Sequence, residues 1–155
     1  MSEYLTLEGW QKLKEELDYL EKVKRKEVAK KLKETAEQGD LRENAGYEAA
    51  KEEQSFVETR IKELKQILAQ AKIVQRQSNE KVQLGSTVKL VSQEKGKKKD
   101  VLVVTLVGPA EVDVIQGKIS IESPLGQAIV NKKQGDKIEI EALGGKKRYQ
   151  IAEIK

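Results

Sequence analysis

The chain contains no cysteine and no histidine. Their absence excludes disulfide bonds, thiolate chemistry and the two side chains that most often bind transition metals in proteins. Any metal ion that binds here must therefore be a hard ion held by oxygen atoms.

Aromatic residues and long apolar segments are also scarce. Aromatic residues make up 4% of the 155 residues, whereas 36% are charged, so any single hydrophobic core is modest. The N-terminus lacks the apolar core of a signal peptide, and no apolar run approaches the ~18 residues of a membrane helix. We therefore expect a cytoplasmic protein without membrane contact. The net charge of +4 lies in residues 78–155 and suits mild attraction to an acidic partner, but it does not indicate nucleic-acid binding by itself.

The first half of the chain has apolar residues at alternating spacings of three and four, which is typical of an antiparallel pair of helices. Thr6 is a suitable N-cap for the first helix, Gly39 suits its end, and Asp40 suits the N-cap of the second. We predict helices near residues 7–38 and 43–74. The predicted seam contains Leu7, Trp10, Leu13, Leu17, Leu20, Val23, Val28, Leu32 and Ala36, and then Ala50, Val57, Ile61, Leu64, Leu68 and Ala71.

The second half of the chain changes to a period of two. Residues 75–84 have no sustained period, so we predict domains at 1–76 and 85–155 with a linker at 77–84. Short strands are predicted near 87–91, 101–107, 117–121, 137–142 and 147–154, with an exposed hairpin loop at 95–100. Ser123 and Pro124 predict the start of one helix that continues through Val130. The predicted fold class is α+β, a long helical hairpin followed by a small antiparallel sheet domain with one helix.

Asp40 and Glu43 are the candidate chemical groups at the turn of the hairpin. Their spacing of three places both carboxylates on one side of a helical turn. One interpretation is a variant capping box, in which both side chains only bind backbone N–H groups. The other is an incomplete magnesium site, which another molecule would have to complete.

A run of basic side chains lies on the first helix. Between positions 22 and 33, seven residues are basic and only Glu27 is acidic. This run fits a solvated helix face, partial pairing with Glu48, Glu52 and Glu53 of the second helix, or contact with phosphate. The basic residues are Lys22, Lys24, Arg25, Lys26, Lys30, Lys31 and Lys33.

The turn also carries a recognisable motif. The sequence Gly39-Asp40-Leu41-Arg42-Glu43-Asn44-Ala45-Gly46-Tyr47, followed by Ala49-Ala50-Lys51-Glu52-Glu53-Gln54, resembles the signature of the GreA/GreB family of bacterial transcript cleavage factors. The similarity extends over nearly the whole chain, in Thr6-Leu7-Glu8-Gly9, Gly117-Lys118-Ile119-Ser120, Ser123-Pro124-Leu125-Gly126, Gly135-Asp136 and Gly144-Gly145. Gly46 departs from the pattern, because family members commonly have an acidic residue there.

The resemblance implies a partner, a metal ion and roles for individual residues. It implies that the helical hairpin enters the secondary channel of bacterial RNA polymerase, and that a C-terminal domain similar in fold to FK506-binding proteins docks at the rim of the channel. It implies that Asp40 and Glu43 hold Mg²⁺ jointly with the polymerase active centre, so that the polymerase cuts backtracked RNA. The protein would then stimulate cleavage without being an enzyme itself. Leu41, Arg42, Asn44 and Tyr47 are expected to support the tip, while Lys30, Lys31, Lys33 and Lys51 are expected to contact the polymerase or the nascent RNA 3′ end. DNA binding is a further expectation.

Three alternatives remain open. A regulator could occupy the same channel without promoting cleavage, although the intact acid pair disfavours it. A prolyl isomerase or chaperone is disfavoured because residues 78–155 contain a single aromatic residue, Tyr149, and fold alone does not carry function. An independent nucleic-acid-binding module lacks an aromatic stacking surface beside the basic run. The helical seam can be satisfied within one chain, so we expect a monomer.

Overall fold

The first half of the protein is an antiparallel helical hairpin. The computed structural model describes residues 4–37, 44–94, 100–142 and 145–155. Helix α1 (Leu7–Tyr19) continues through a π-helical turn (Leu20–Lys24) into α2 (Arg25–Glu37), and α3 (Ala45–Gln70) returns beside them. The predicted helix end at Gly39 lies outside the described residues.

A buried apolar seam holds the hairpin together. Side chains three and four residues apart on each stretch point at the opposite helix, as the sequence pattern predicts. The buried members are Leu13, Leu17, Leu20 and Val28 on the first stretch, and Ala50, Val57, Ile61 and Leu64 on α3. Trp10, Leu32, Leu68 and Ala71 are half-buried.

Three predicted seam residues are instead exposed: Leu7, Val23 and Ala36. Leu7 is the first residue of α1 and precedes the seam, while Ala36 lies in the last turn of α2. Val23 is 43% exposed because the π-helical turn adds a residue to the helical repeat. The extra residue rotates the following positions, so Lys24 rather than Val23 lies beside α3.

The second half of the protein is a five-stranded sheet with one helix. The strands are β3 (Thr87–Ser92), β4 (Val101–Val107), β5 (Lys118–Ser120), β6 (Lys137–Ala142) and β7 (Gly145–Ile154), in the spatial order β5-β4-β3-β7-β6. Helix α4 (Pro124–Ile129) begins as predicted, with the Ser123 side chain accepting a hydrogen bond from the Gly126 N–H. The α+β fold class is confirmed. The predicted loop at 95–100 lies almost wholly outside the described residues, and so does Gly144 between the last two strands.

The sheet is mixed, whereas the prediction was an antiparallel sheet. Strands β4 and β5 run parallel, with Thr105 opposite Lys118 and Val107 opposite Ser120. The physical reason is the connection at 108–117, which returns the chain along β4 before β5 begins. The buried core of the sheet contains Val82, Val88, Leu90, Val104, Leu106, Ile129, Ile138, Ile151 and Ile154.

The chain divides into compact units at positions that differ from the predicted boundaries. One unit is Trp10–Gln70, and the other combines Met1–Gly9 with Ala71–Lys155. Helix α3 ends at Gln70, short of the predicted 74, because β2 (Lys72–Ile73) pairs in parallel with β1 (Tyr4–Leu5). Within the predicted linker, the described contacts place Val82 and Leu84 in the sheet unit, where both are buried.

The N-terminus of α1 is held by two side chains. The Thr6 hydroxyl accepts a hydrogen bond from the Gly9 N–H at 3.0 Å, which confirms the predicted cap. The Glu111 carboxylate, from a short 3₁₀ turn (Pro109–Glu111), accepts the Thr6 N–H at 2.9 Å and the Thr6 hydroxyl at 2.6 Å. A Cβ at position 9 would lie 1.8 Å from Glu111 Oε1, so glycine at this position leaves room for the carboxylate.

Candidate functional site

The candidate site is the turn that joins α2 to α3, together with the helix ends that flank it. Asp40, Leu41, Arg42 and Glu43 lie outside the described residues. The structure describes both flanks of this tip motif, since α2 ends at Glu37 and α3 begins at Ala45.

Asn44 caps α3. Its Oδ1 accepts a hydrogen bond from the Tyr47 N–H at 3.1 Å, and its backbone carbonyl accepts the Glu48 N–H at 3.2 Å. The Asn44 amide also donates to the Thr35 carbonyl near the end of α2. The sequence interpretation gave the capping role to Asp40, but Asn44 fills it, and it joins the two helices at the base of the tip.

Space for a side chain is limited at Gly46, in the first turn of α3. Gly46 occupies the second helical position, where an added Cβ would lie 3.3 Å from Asn44 Oδ1 and 3.4 Å from Thr35 Cγ2. One turn further on, the Lys51 ammonium lies 5.2 Å from the centre of the Tyr47 ring, a cation–π distance. Thus Asn44, Tyr47 and Lys51, which were predicted as supporting or contact residues, all lie at the base of the tip.

Three of the seven basic residues in the run pair with acids of α3. Lys24 Nζ lies 2.8 Å from Glu53 Oε1, and Lys31 Nζ lies 3.2 Å from Glu53 Oε2. Hydrogen bonding to Lys24 and then to Lys31 lowers the pKa of the Glu53 carboxyl, while the same Glu53 contact raises the pKa of Lys24. This confirms the expected pairing for Glu53. No ion pair joins Glu48 or Glu52 to the run within the described residues.

Arg25 forms a bidentate ion pair that the sequence pattern did not predict. Its Nε and Nη2 donate to the two carboxylate oxygens of Glu58 at 2.8 and 2.9 Å. The hydrogen bond raises the pKa of Arg25 and lowers that of Glu58. Closer to the base of the hairpin, Arg60 binds Glu16 in the same bidentate way, at 2.8 and 3.0 Å. Val23 and Val28 are five residues apart, whereas the other seam residues are mostly three or four apart. This irregular spacing is the one sequence signal that could have indicated which residues of the two helices lie opposite each other.

The remaining predicted contact lysines differ in their surroundings. Lys30 lies 3.9 Å from Glu34 one turn further along α2, in an exposed pair. Lys33 has no acidic partner among the described residues. Because Lys31 is engaged by Glu53, Lys33 is better suited than Lys31 to meet a phosphate group.

No cluster of three acidic side chains that could hold a metal ion occurs in the described part of the chain. Asp40 and Glu43 supply only carboxylate oxygens, the ligand type that magnesium prefers, and no histidine or cysteine offers a competing soft ligand. This donor set fits a magnesium ion whose other ligands come from a partner. No helix within the described ranges is long and apolar enough to cross a membrane.

Comparison with known proteins identifies the family. The model "Transcription elongation factor, N-terminal" of GreA/GreB proteins matches residues 3–73, and the model "Transcription elongation factor, GreA/GreB, C-term" matches residues 77–155. The chain belongs to the GreA/GreB family of transcription elongation factors. The first match spans the helical hairpin with its tip motif, and the second spans β3 to β7.

Individual relatives agree with this assignment. The chain is 40% identical to transcription elongation factor GreA of Alkalilimnicola ehrlichii over 154 residues, covering 97% of this chain and 96% of the relative. It is 42% identical to GreA of Thermoanaerobacter pseudethanolicus over 153 residues, with coverage of 97% and 96%. Among solved structures, GreA factor homolog 1 of Thermus thermophilus is 33% identical, with coverage of 100% and 99% and a TM-score of 0.46. The two GreA relatives, which match nearly the whole chain, indicate a GreA-like transcription elongation factor.

Proposed function

We propose that the protein binds bacterial RNA polymerase, places the hairpin tip in the secondary channel and stimulates the polymerase to cleave backtracked RNA. The observation that carries this proposal is the acid pair Asp40 and Glu43 in the tip motif, between the two helices of a chain that matches the family over both halves. The protein would act in the cytoplasm as a monomer that stimulates cleavage and has no active site of its own.

The tip acids are the groups that would take part in the chemistry. Asp40 and Glu43 would hold a magnesium ion jointly with the polymerase active centre, where it would help to activate water and stabilise the leaving oxygen. The structure supports this role indirectly, because Asn44 already caps α3 at Tyr47. The carboxylates of Asp40 and Glu43 are then not needed for that cap.

The rest of the hairpin would position the tip. Ion pairs between α3 and the first helical stretch join Glu16 to Arg60, Lys24 to Glu53 and Arg25 to Glu58. Asn44 ties the start of α3 to Thr35, so the base of the tip is fixed from both sides. Lys33 and Lys30 would contact the polymerase or the nascent RNA 3′ end.

The direct test uses stalled elongation complexes that carry 3′-labelled RNA. We expect the protein to release short labelled 3′ fragments, and we expect Asp40→Asn and Glu43→Gln to nearly abolish the release while binding to polymerase stays intact. Glu48→Gln is the matched control, since Glu48 is an exposed acid in the first turn of α3 and lies outside the acid pair. It should release fragments at the wild-type rate.

Two results would overturn the proposal. Binding without fragment release by the wild-type protein would favour a regulator that occupies the channel without promoting cleavage. Normal release by Asp40→Asn would remove the tip acids from the mechanism.

A further inference from the structure

The buried apolar seam of the hairpin ends before the tip motif. Val28 on α2 and Ala50 on α3 are buried, and Leu32 is half-buried. From position 33 to 37 and from position 44 to 49, every described side chain is exposed or half-buried. Buried apolar packing therefore does not align the last turn of α2 with the first turn of α3, so this alignment depends on polar contacts.

One side-chain amide joins the two helix ends. The Asn44 Oδ1 accepts a hydrogen bond from the Tyr47 N–H at 3.1 Å, and the Asn44 Nδ2 donates to the Thr35 carbonyl. The first N–H groups and the last carbonyl groups of a helix have no partner within that helix, and Asn44 satisfies one of each. We call the bond from Asn44 Nδ2 to the Thr35 carbonyl the amide bridge. Among the described residues, no other hydrogen bond or ion pair joins residues 34–37 to Asn44 or to α3.

The space beside the amide bridge is kept open by Gly46. A Cβ at position 46 would lie 3.3 Å from Asn44 Oδ1 and 3.4 Å from Thr35 Cγ2. Both side chains therefore approach the same point, which agrees with the hydrogen bond between the two residues. A side chain at position 46 would press on both partners, whereas glycine leaves them in place.

The two bonds of Asn44 together require an amide. An asparagine side chain carries an acceptor oxygen and an NH2 donor, so it makes both bonds at once. Serine caps a helix about as well as asparagine, but it has a single oxygen atom that ends one bond closer to the backbone. A serine at position 44 would therefore keep the cap of α3 and lose the amide bridge.

We propose that Asn44 is a positioning residue for the tip acids, and that it acts through the amide bridge and not through the cap of α3. Asp40 and Glu43 lie in the sequence between Thr35 and Asn44, so the amide bridge joins the two ends of the segment that carries them. A displacement of about 1 Å in a catalytic group can lower a reaction rate about a hundredfold. This inference rests on the proposed function, since it names a residue that aligns the acids for stimulated cleavage.

The test separates the amide bridge from the cap. Asn44→Ser loses only the bridge, whereas Asn44→Ala loses both the bridge and the cap. Stalled complexes that carry backtracked, 3′-labelled RNA give two quantities for each protein, the affinity for the complex and the cleavage rate at saturating protein. Thermal melting of the free proteins is followed by circular dichroism. Ala49→Ser is the matched control, since it introduces serine at an exposed position of α3.

We expect Asn44→Ser and Asn44→Ala to lower the cleavage rate at saturation by the same factor, about ten- to a hundredfold, because both lack the amide donor. Their affinity for the complex should match that of the wild type, because the rest of the hairpin is unchanged. Asn44→Ala should melt at a lower temperature than Asn44→Ser, since only serine retains the cap. Ala49→Ser should match the wild type in the cleavage rate and in the affinity.

Three outcomes would overturn the inference. A wild-type cleavage rate for Asn44→Ser would show that the tip does not need the amide bridge. A rate loss in Asn44→Ala that is much larger than in Asn44→Ser, in step with the melting temperatures, would leave Asn44 with the cap alone. Weaker binding with a normal rate at saturation would assign Asn44 to contact with the polymerase. Failure of the wild-type protein to stimulate cleavage would instead refute the proposed function, and this result is distinct because it involves no variant of Asn44.

Discussion

The contact between Glu111 and the start of α1 predicts that Gly9→Ala lowers the stability of the wild-type protein but raises the stability of Glu111→Ala. In the wild-type protein, Gly9→Ala places a methyl group 1.8 Å from Glu111 Oε1, so the carboxylate must leave its position. Its two hydrogen bonds from Thr6, at 2.9 and 2.6 Å, are then lost. In Glu111→Ala the space is empty, and the same Gly9→Ala change only improves helix propensity.

The magnitudes follow from the bonds involved. A hydrogen bond to a charged group contributes about 1.5–3 kcal/mol, and the half-buried location of Glu111 favours the lower end. Loss of the carboxylate should therefore cost about 2–3 kcal/mol in total. Alanine is better than glycine in a helix by about 1 kcal/mol. We expect Gly9→Ala to destabilise the wild-type protein by about 1–2 kcal/mol, and to stabilise Glu111→Ala by up to about 1 kcal/mol.

Urea unfolding followed by fluorescence measures the four proteins of this cycle. Trp10 is the one tryptophan of the chain and directly follows Gly9, so its emission reports on the altered segment. A coupling free energy of about 2–3 kcal/mol between positions 9 and 111 would agree with the structure. A Gly9→Ala change that stabilises both backgrounds equally would show that the Glu111 carboxylate does not occupy this space.

Three further predictions concern the hairpin. Asn44→Ala should destabilise it by about 1 kcal/mol, the usual cost of a lost N-cap, whereas Asp40→Asn should leave its melting temperature unchanged. The pKa values of Glu53 and Glu58 are lowered by their basic partners, so the stability they add is present above the unfolded-state pKa, near 4.5. Melting temperatures measured by circular dichroism should therefore fall as the pH drops through and below this value, and Glu53→Gln/Glu58→Gln should show a smaller fall. Lys33→Gln should weaken binding to stalled complexes, and the difference in affinity from the wild type should shrink as the salt concentration rises. Equal affinities of the two proteins at all salt concentrations would show that Lys33 only faces solvent.

The hairpin was predictable because its seam is a local pattern. Leu13, Leu17 and Leu20 are buried where their spacing places them. The pattern fails at Val23, because a π-helical turn depends on how the following segment packs against α3. It also fails at the end of α3, where residues 72–73 pair with β1 from the other end of the chain instead of continuing the helix.

The sequence predicts the tip motif but not the contacts that surround it, and the role of the motif stays a prediction. The family signature named Asp40 and Glu43, and the acid supply of α3 indicated pairing with the basic run. The cap was assigned to Asp40, although Asn44 has the same capping ability and lies directly before α3. The contact between Thr6 and Glu111 joins residues that are far apart in the sequence, so a local sequence pattern cannot predict it.

The most direct test of the central claim is the magnesium dependence of stimulated RNA cleavage. Cleavage rates of backtracked complexes are measured across a magnesium titration, with saturating amounts of the wild-type protein or of Asp40→Asn. If the tip acids hold the ion, the wild type should reach its maximal rate at low magnesium, and the variant should recover part of its lost rate only at high magnesium. Identical titration curves for the two proteins would contradict the account.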